Sequence, residues 1–486
     1  MTHLALTELN ELSPTVTVPS YPLNEVSIGI VHFGVGAFHR AHQAMYVDRI
    51  LSAGQSAWGI CGVGVLPTDR TIGQVLKNQD YLYTLVTVDP NGSSHARVIG
   101  SVAEFLFAPD DPTAVQQRLT NPATKIVSLT ITEGGYCIED ATGEFRPDGL
   151  TLADLQDVDY PSSVLGHIVA ALRARRDTGV GPFTVVSCDN VQANGDVARR
   201  AILAFAERKD PAVAGWITQQ VSFPNSMVDR ITPGTTAETR QDVQSTFGVE
   251  DGWPVRSESF AQWVLEDRFC AGRPPLESVG VQLVDDVEPY ELMKLRLLNA
   301  SHQMMSYLGL LAGFTKVHEV CQDPLFVEFL LDYMRLEAVP TLADVPGIDL
   351  ENYCHQLIER FASTAIEDTL ARQVTDSSDR IPKFVLPVIT AQLAAGRSVD
   401  RCAIVLAAWS LFLNGATEVA PRDRHLQELA KAATQEQVHP GSFLDLTLFG
   451  QLRTSRILRE AFVNFRAALI TDGPRAVMTN VGLIVA

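Results

Sequence analysis

The chain has 486 residues, too many for a single hydrophobic core, and its length predicts two large domains. Its 38 basic and 57 acidic residues give a net charge of −19, which argues against nucleic acid or an anionic membrane surface as the main partner. A small ligand is not excluded, because it responds to the local field rather than to the net charge.

The seven cysteines are scattered and odd in number, and none forms a C-x-x-C pair. This pattern argues against a disulfide framework or a cysteine zinc site, and it predicts a reduced, cytoplasmic setting. The stretch MTHLALTELNELSPTV lacks the basic segment and apolar core of a secretory signal. The sequence contains no run of about 18 uncharged apolar residues, so no membrane span is predicted.

The first half of the chain alternates between strand and helix patterns. Residues 1–25 are predicted to be an irregular arm, because Pro14, Pro19 and Pro22 prevent a long helix. The predicted strands are VSIGIVHFG, WGICGVGVL, TKIVSLTIT and GPFTVVSCDN, and the predicted helices are AFHRAHQAMYVDRILSAG and SSVLGHIVAALRARR. YLYTLVTVD and HARVIGS form an antiparallel pair around the turn PNGSS. The alternation predicts a doubly wound parallel sheet.

From about residue 285 the pattern becomes helical. The predicted helices are EPYELMKLRLLNASHQMMSYLGLLAG, DPLFVEFLLDYMRLEA, DLENYCHQLIERFAS, DRCAIVLAAWSLFLNG and TSRILREAFVNFRAALI. We therefore predict an α/β protein with two domains. Residues 1–285 form a Rossmann-type, NAD-binding domain that includes a connector from about residue 224. Residues 286–486 form a mainly α-helical substrate and catalytic domain.

A glycine turn follows the first predicted strand, in FGVGAFHRAH. Gly34 and Gly36 give G-x-G, and His39 stands at the third position of G-x-G-x-x-G. The place of the turn, the first βα connection, predicts a pyrophosphate site, and an ordinary turn remains the alternative. His39 and His42 are three residues apart and could share a metal ion, but no third ligand has suitable spacing, so no metal is predicted. Arg40 and the histidines are expected to contact phosphate or to pack under it.

Asp69 follows the second predicted strand, in GVLPTDR, where a carboxylate can reach the ribose of a dinucleotide. It lies farther from the glycines than the usual spacing of about 20 residues. A carboxylate there accepts from a 2′-hydroxyl and repels a 2′-phosphate, so Asp69 predicts NAD rather than NADP. The alternative is a solvated loop aspartate.

The stretch KLRLLNASH carries Lys294, Asn299 and His302 among leucines. At α-helical spacing His302 lies about 80° from Lys294, and Asn299 lies about 60° beyond it, so the three share one broad face. Glu291 falls in the same arc. A solvated helix face is the alternative, but three different polar groups among leucines favour a polar cleft.

These residue types suit the oxidation of a secondary alcohol without a metal ion. A lysine with a lowered pKa can accept the hydroxyl proton, and an asparagine can donate to an oxygen that becomes alkoxide-like. A second asparagine, Asn190, ends the strand FTVVSCDN, where ligands bind in parallel sheets, although it could also be a helix cap. The spacing Tyr290-x-x-x-Lys294 also occurs in short-chain dehydrogenases, but those are shorter, single-domain chains, so the match is interpreted as accidental.

Seven stretches in the same order resemble the long-chain polyol-specific dehydrogenase family over most of the chain. They are GVGAFHRAHQAMY, SLTITEGGYCIED, VVSCDN, SFPNSMVDRITP, QWVLEDRF, PYELMKLRLLNASH and VPGIDL. The resemblance implies zinc-independent hydride transfer with NAD as the cofactor, a Rossmann domain followed by a helical domain, and a polyol or ketose as the small-molecule partner. It also suggests a monomer.

The resemblance implies a role for each residue of the lysine helix. Lys294 would be the general acid and base, with Asn190 and Asn299 as the oxyanion hole. His302 would orient the substrate, and Glu291 would line a proton path to solvent.

The resemblance further implies residues that bind substrate and cofactor. Asp229, Arg372 and Arg380 would bind the polyol, and the sequence has SSDR, with Arg380, where close relatives often carry a lysine. A second acid is often found where this chain has Thr68. The cofactor-binding residues would be Gly34, Gly36, Phe38, His39, Arg40, Asp69 and Glu133.

The activity expected from these residues is the NAD-dependent interconversion of D-mannitol and D-fructose. Two alternatives in the same family stay open, a D-arabinitol 4-dehydrogenase and a fructuronate or tagaturonate reductase. A non-catalytic nucleotide sensor would belong to a different class, and the intact Lys-Asn-Asn-His set argues against it.

Overall fold

The computed structural model describes residues 2–139, 142–156, 160–364 and 368–481. The chain separates into two units. The first consists of Met1–Asp89 and Ser93–Glu288, and the second of Pro90–Gly92 and Pro289–Ala486.

The first unit contains strands and short to medium helices. Its strands are β1 Thr2–His3, β2 Val16–Thr17, β3 Ile28–Phe33, β4 Gly59–Gly64, β5 Tyr83–Val88, β6 Ser94–Ile99, β7 Val102–Phe107, β8 Ile126–Leu129, β9 Thr184–Ser187, β10 Ser226–Asp229, β11 Val249–Glu250, β12 Val255–Glu258, β13 Gln262–Glu266 and β14 Gln282–Val284. Its helices are α1 Ala37–Ala41, α2 Gln43–Ser52, α3 Asp69–Asn78, α4 Pro112–Thr120, α5 Thr132–Gly135, α6 Gly149–Asp154, α7 Val164–Thr178, α8 Asn194–Lys209, α9 Pro211–Gln220 and α10 Ala237–Phe247.

A five-stranded sheet in the order β7-β4-β3-β8-β9 organises the first unit, and all of its neighbouring strands are parallel. All six residues of β3 are buried, as expected of a strand with helices on both faces. Ile30 packs into one core with α2, whereas Val31 and Phe33 pack into another with α7 and α8. The predicted doubly wound sheet is confirmed.

The strand order reverses between β3 and its two neighbours, because β4 continues the chain on one side and β8 on the other. Ligands of open α/β sheets bind at such a switch point, beyond the carboxyl ends of the strands. The glycine turn after β3 and the segment after β8 meet there, since the Thr130 hydroxyl donates to the Gly34 carbonyl at 2.6 Å.

Three details differ from the predictions. The single helix predicted after the glycine turn is two helices, α1 and α2, because the backbone breaks at His42, whose ring bonds the Gln262 carbonyl at 3.0 Å. Strand β7 was not predicted; five of its six residues are only half-buried, so it lacks a continuous apolar run. The predicted connector folds as α10 and five short strands, three of which form a sheet in the order β10-β13-β14. The antiparallel pair β5 and β6 is confirmed.

The second unit is helical. Its helices are α11 Glu288–Met293, which begins at the last residue of the first unit, α12 Ala300–Leu311, α13 Val317–Cys321, α14 Pro324–Asp332, α15 Leu350–Phe361, α16 Leu370–Gln373, α17 Ser377–Phe384, α18 Leu386–Ala394, α19 Asp400–Leu413, α20 Leu426–Gln435, α21 Arg456–Thr471 and α22 Gly473–Thr479. The predicted helical character of this half is confirmed. Among the described residues, no helix is both long enough and apolar enough to cross a membrane.

Candidate active site

The glycine turn at the end of β3 has two glycines in different situations. Gly34 has φ of +92°, and a Cβ there would overlap the Thr130 carbonyl oxygen and lie 2.9 Å from its carbonyl carbon. Only glycine fits such a position. Gly36 has an ordinary φ of −86°, and a Cβ there would meet only the Gly34 oxygen, at 3.9 Å. The side of Gly36 on which a Cβ would stand therefore faces open space.

Gly36 is also the N-cap of α1, and it has no side chain with which to cap the helix. The N-cap thus makes no side-chain hydrogen bond to the first helical turn, and first-turn N–H groups are the groups that bind phosphate at helix starts. Phe38 is half-buried in this turn, and its ring stacks on that of His42 at 4.9 Å.

His39 and Arg40 lie beneath the glycine turn and are almost fully buried. The His39 ring stacks on His32 at 3.5 Å, and neither of its nitrogens has a hydrogen-bond partner within the described residues. Burial holds the pKa of His39 well below its usual range. Arg40 lies over the Tyr83 ring at 5.2 Å and donates to the carbonyl of Trp253. The structure thus places both side chains under the turn.

Asp69 is the first residue of α3, just beyond β4, which is the neighbour of β3. Its Oδ2 accepts from the backbone N–H groups of Val65 and Leu66, both at 2.9 Å. The carboxylate therefore organises the turn after β4 while remaining partly exposed. This is the strand end at which a ribose would be expected.

Glu133 and Asn190 are exposed and follow β8 and β9. Asp189, which the sequence analysis did not single out, links the two strand ends. Its carboxylate accepts from the N–H groups of Ile131 and Thr132 at 3.0 and 2.8 Å, and from the Tyr136 hydroxyl at 2.6 Å. Burial raises the pKa of Asp189, and these hydrogen bonds act in the opposite direction.

Asp229 is the last residue of β10, and only 4% of its surface is exposed. The next residue, Arg230, is buried as well and donates to the Glu258 carbonyl at 3.0 Å. The Asp229 backbone is part of the antiparallel pairing of β10 with β13, where it lies opposite Gln262.

Lys294 and Asn299 begin and end a π-helical segment between α11 and α12. The Ala300 N–H donates to the Leu295 carbonyl, the i→i+5 bond of a π-helix. The angles predicted from an α-helix are therefore wrong across this segment. Each π-helical residue turns through a smaller angle, so residues five apart, such as Lys294 and Asn299, lie closer to one face. Such segments are frequent at functional sites.

The polar residues of the lysine helix are buried despite their charge or polarity. Glu291, Lys294, Asn299 and His302 expose between 7% and 9% of their surfaces. Tyr290 donates its hydroxyl to the Pro346 carbonyl at 2.7 Å, which gives it a structural role in the second unit.

His302 is neutral at pH 7, because burial lowers its pKa to about 4. The charge of Asp368 opposes this shift, and those of Arg372 and Arg380 add to it. The ring lies 4.7 Å from that of Phe361. A neutral imidazole offers one hydrogen-bond donor and one acceptor, which suits a hydroxyl ligand.

Arg372 and Arg380 are connected through two residues that the sequence analysis missed. Arg372 donates to both carboxylate oxygens of Asp368, at 2.7 and 2.6 Å. Gln373 donates to Asp368 at 2.7 Å and accepts from Arg380 at 3.2 Å. Although burial opposes it, Arg372 lowers the pKa of Asp368. The four-residue spacing of Asp368 and Arg372 was a signal for this pair, although Asp368 lies before the N-cap of α16 rather than in the helix.

The predicted residues therefore form two groups. In the first unit the glycine turn and Asp69, Glu133 and Asn190 lie at carboxyl ends of parallel strands. In the second unit His302 lies close enough to Arg372 and Arg380 for their positive charges to lower its pKa. Within the ranges that the structure describes, no group of three or more His, Cys, Asp or Glu side chains could hold a metal ion.

Comparisons with known proteins cover nearly the whole chain. Residues 28–278 match the family model of the mannitol dehydrogenase Rossmann domain, and residues 286–469 match that of the mannitol dehydrogenase C-terminal domain. A mannitol 2-dehydrogenase of Phaeosphaeria nodorum is 44% identical over 476 residues, which span 96% of this chain and 83% of that protein.

Two solved structures are similar over their full lengths. The Pseudomonas fluorescens mannitol 2-dehydrogenase, in a ternary complex with NAD and D-mannitol, is 43% identical with a TM-score of 0.86 and covers 99% of both chains. A D-sorbitol dehydrogenase in substrate-free form is 37% identical with a TM-score of 0.92 and covers 98% of this chain and 100% of its own. On the evidence of both family models and of these relatives, the chain belongs to the mannitol dehydrogenase family.

Proposed function

We propose that the chain catalyses the NAD-dependent oxidation of D-mannitol to D-fructose, and the reverse reduction, without a metal ion. One observation carries the proposal. It is the similarity of the chain, over its whole length, to an enzyme whose structure holds NAD and D-mannitol. The lysine, asparagine and histidine of one buried helical segment are groups that this reaction can use.

The first unit has the features of a dinucleotide site. The turn of Gly34 and Gly36 has open space on one side and uncapped helical N–H groups on the other, which fits a pyrophosphate. Asp69 would accept from the ribose 2′-hydroxyl, and Glu133 would line the site near the end of β8. When bound, NAD supplies the hydride acceptor. The remaining cofactor-binding residues proposed are Phe38, His39 and Arg40, which support the turn from α1.

Lys294 is the proposed general acid and base. In oxidation its amine takes the proton of the reacting hydroxyl, and in reduction its ammonium returns a proton to the new alkoxide. Burial removes water that would otherwise stabilise an ammonium, which is the general way in which proteins prepare a lysine for proton transfer. Glu291, one turn earlier and also buried, would pass the proton toward solvent.

Asn190 and Asn299 are the proposed donors to the substrate oxygen. Amide N–H groups that are held in place stabilise the negative charge that develops on that oxygen. His302, as a neutral ring, would accept from one substrate hydroxyl and donate to another. Asp229, Arg372 and Arg380 would bind the other hydroxyls, with Asp368 and Gln373 holding the two arginines.

D-sorbitol is a second candidate substrate, favoured by the similarity to the D-sorbitol dehydrogenase. D-mannitol and D-sorbitol differ only in configuration at C2, and oxidation there gives D-fructose from either. The face of the carbonyl that receives the hydride therefore decides between them.

The test follows NADH consumption with D-fructose, D-xylulose, fructuronate and tagaturonate, with and without EDTA, and identifies the hexitol formed. EDTA-insensitive reduction of D-fructose to D-mannitol is expected. D-sorbitol as the product would move the assignment to the second candidate. Turnover confined to a uronate or to xylulose would refute the assignment of D-fructose as the substrate. Loss of turnover in EDTA would refute the metal-free mechanism.

We also propose a monomer in a reducing, cytoplasmic setting. All seven cysteines are free thiols, and six of them are buried. The acidic net charge is consistent with a small-molecule substrate as the main partner.

A further inference from the structure

Asn194 is a fully buried polar residue at the start of α8, just after the loop that carries Asn190. We propose that Asn194 is a positioning residue that orients Asn190 for catalysis. This inference rests on the proposed function, because it assigns Asn190 as a donor to the substrate oxygen. The two residues belong to the same unit.

The amide of Asn194 makes its hydrogen bonds to two other segments of the chain. Its Nδ2 donates to the Asp189 carbonyl at 3.0 Å and to the Ser226 carbonyl at 2.8 Å. Its Oδ1 accepts from the Ser226 N–H at 2.9 Å. Nδ2 also lies 3.1 Å from the Ser226 hydroxyl oxygen. An asparagine at a helix start often caps its own helix, but here the amide joins the segment after β9 to β10.

The bond to the Asp189 carbonyl acts directly on Asn190. A peptide group is planar, so the carbonyl of Asp189 and the N–H of Asn190 turn as one rigid unit. Holding that carbonyl fixes the peptide plane from which the Asn190 side chain projects. An error of about 1 Å at such a donor can cost about a hundredfold in rate.

Asp189 is held on its other side as well. Its carboxylate accepts from the N–H groups of Ile131 and Thr132 and from the Tyr136 hydroxyl. With the carboxylate fixed by the segment after β8 and the carbonyl fixed by Asn194, the residue before Asn190 has little freedom. Asn190 itself is exposed, and the peptide that precedes it is the part of its backbone that these bonds hold.

The backbone around Asn194 is built for this contact. Ala193 has φ of +49°, a left-handed conformation that is unfavourable for a non-glycine residue and persists only where the surrounding structure holds it. A Cβ on Gly195 would lie 2.5 Å from the Pro224 carbonyl oxygen, so glycine is needed for α8 to approach the segment before β10. These two features bring the amide within reach of both partners.

A purely structural role is the competing explanation, and Asn225 provides the control. Asn225 also ties the start of α8 to the segment before β10, because its Oδ1 accepts from the Asp196 N–H at 3.1 Å and its Nδ2 donates to the Asp196 carboxylate at 3.3 Å. Its bonds do not include the Asp189 carbonyl. Loss of Asn225 therefore weakens the junction without releasing the peptide of Asn190.

The experiment compares Asn194→Ala, Asn194→Ser and Asn225→Ala for D-fructose reduction, NADH affinity and thermal unfolding. We expect both Asn194 variants to lose about tenfold in kcat, with NADH dissociation constants within twofold of the parent chain. Asn225→Ala is expected to keep kcat within about twofold. Equal losses of kcat in Asn194→Ala and Asn225→Ala would overturn the inference.

A double-mutant cycle with Asn190→Ala separates the inference from the proposed function. Removing an oxyanion donor costs about 10²–10³ in kcat, so Asn190→Ala alone should be severely impaired. If Asn194 acts through Asn190, Asn194→Ala should cost less than twofold in the Asn190→Ala background. The same tenfold loss in both backgrounds would overturn the inference and leave the role of Asn190 intact.

Two other outcomes are also decisive. Full activity of Asn190→Ala would refute the proposed oxyanion role itself, and the inference with it. Loss of cooperative unfolding in both Asn194→Ala and Asn194→Ser would assign Asn194 to the stability of the unit and overturn the positioning role.

Discussion

Replacing Gly34 by alanine tests the geometry of the glycine turn. The residue has φ of +92°, and its Cβ would overlap the carbonyl oxygen of Thr130. A left-handed conformation costs an alanine about 1–2 kcal/mol, and forcing an extra carbon into a packed site costs about 1–3 kcal/mol more. The backbone oxygen cannot swing aside as a flexible side chain could. We expect Gly34→Ala to lower the free energy of unfolding by about 3 kcal/mol.

Gly36→Ala is the matched control two residues away. Its φ of −86° suits alanine, and the added methyl group would meet only the Gly34 oxygen, at 3.9 Å. The fold should therefore be as stable as the parent or slightly more so, by about 0.4–1 kcal/mol, because alanine restricts the unfolded chain. If a pyrophosphate approaches this backbone, the same methyl group should raise the NADH dissociation constant at least about tenfold.

The assay pairs thermal or denaturant unfolding with a fluorescence titration of NADH. At about 2–4 °C per kcal/mol, Gly34→Ala should melt roughly 6–12 °C below the parent chain. If Gly34→Ala unfolds at the same temperature as the parent chain, the steric clash with Thr130 is refuted. Unchanged NADH affinity in a folded Gly36→Ala would refute the placement of the phosphates at this turn.

Two further predictions concern cofactor choice and acid stability. Asp69→Ala should raise kcat/KM with NADPH relative to NADH about tenfold or more, because the repulsion of a 2′-phosphate is removed; an unchanged ratio in steady-state assays would contradict the role of Asp69. His32 and His302 have pKa values lowered by burial to about 3 and about 4, so each binds a proton more readily when unfolded. Their contribution to stability is complete well above pH 6.5 and falls as the pH drops toward about 4 for His302 and about 3 for His32, with a loss of about 2 kcal/mol for each residue at pH 5. Urea unfolding of the parent chain and of His302→Gln at pH 8 and pH 5 checks this, and an equal pH dependence in both would contradict it.

The sequence predicted those parts of the fold that follow from local pattern. The apolar run VSIGIVHFG identified β3 and the first βα turn, because both faces of that strand are covered and its residues are therefore apolar. Strand β7 was missed because most of its residues are only half-buried, so its sequence lacks the continuous apolar run that revealed β3. The helix break at His42 was also missed, because it depends on a bond to Gln262, far away in the sequence.

In the candidate site, too, the sequence revealed what depends on local pattern and missed what depends on contacts between distant segments. The polar residues of the lysine helix stood out against leucines, but the α-helical angles were wrong because Lys294–Asn299 is π-helical. Asp189 and Gln373 gave no signal in the sequence, since their importance lies in bonds to distant segments. The roles of Asp229, Arg372 and Arg380 came from family resemblance rather than from spacing.

The central claim is that Lys294 moves the proton while other residues hold the cofactor. The most direct measurement compares Lys294→Met with the parent chain, since methionine preserves the apolar stem in a buried helix. Single-turnover reduction of D-fructose and NADH binding are measured on the same samples. A loss of at least about a hundredfold in rate, with NADH affinity within twofold, is predicted from the usual contribution of general acid–base catalysis. A folded variant that reduces D-fructose within about threefold of the parent rate would contradict the account.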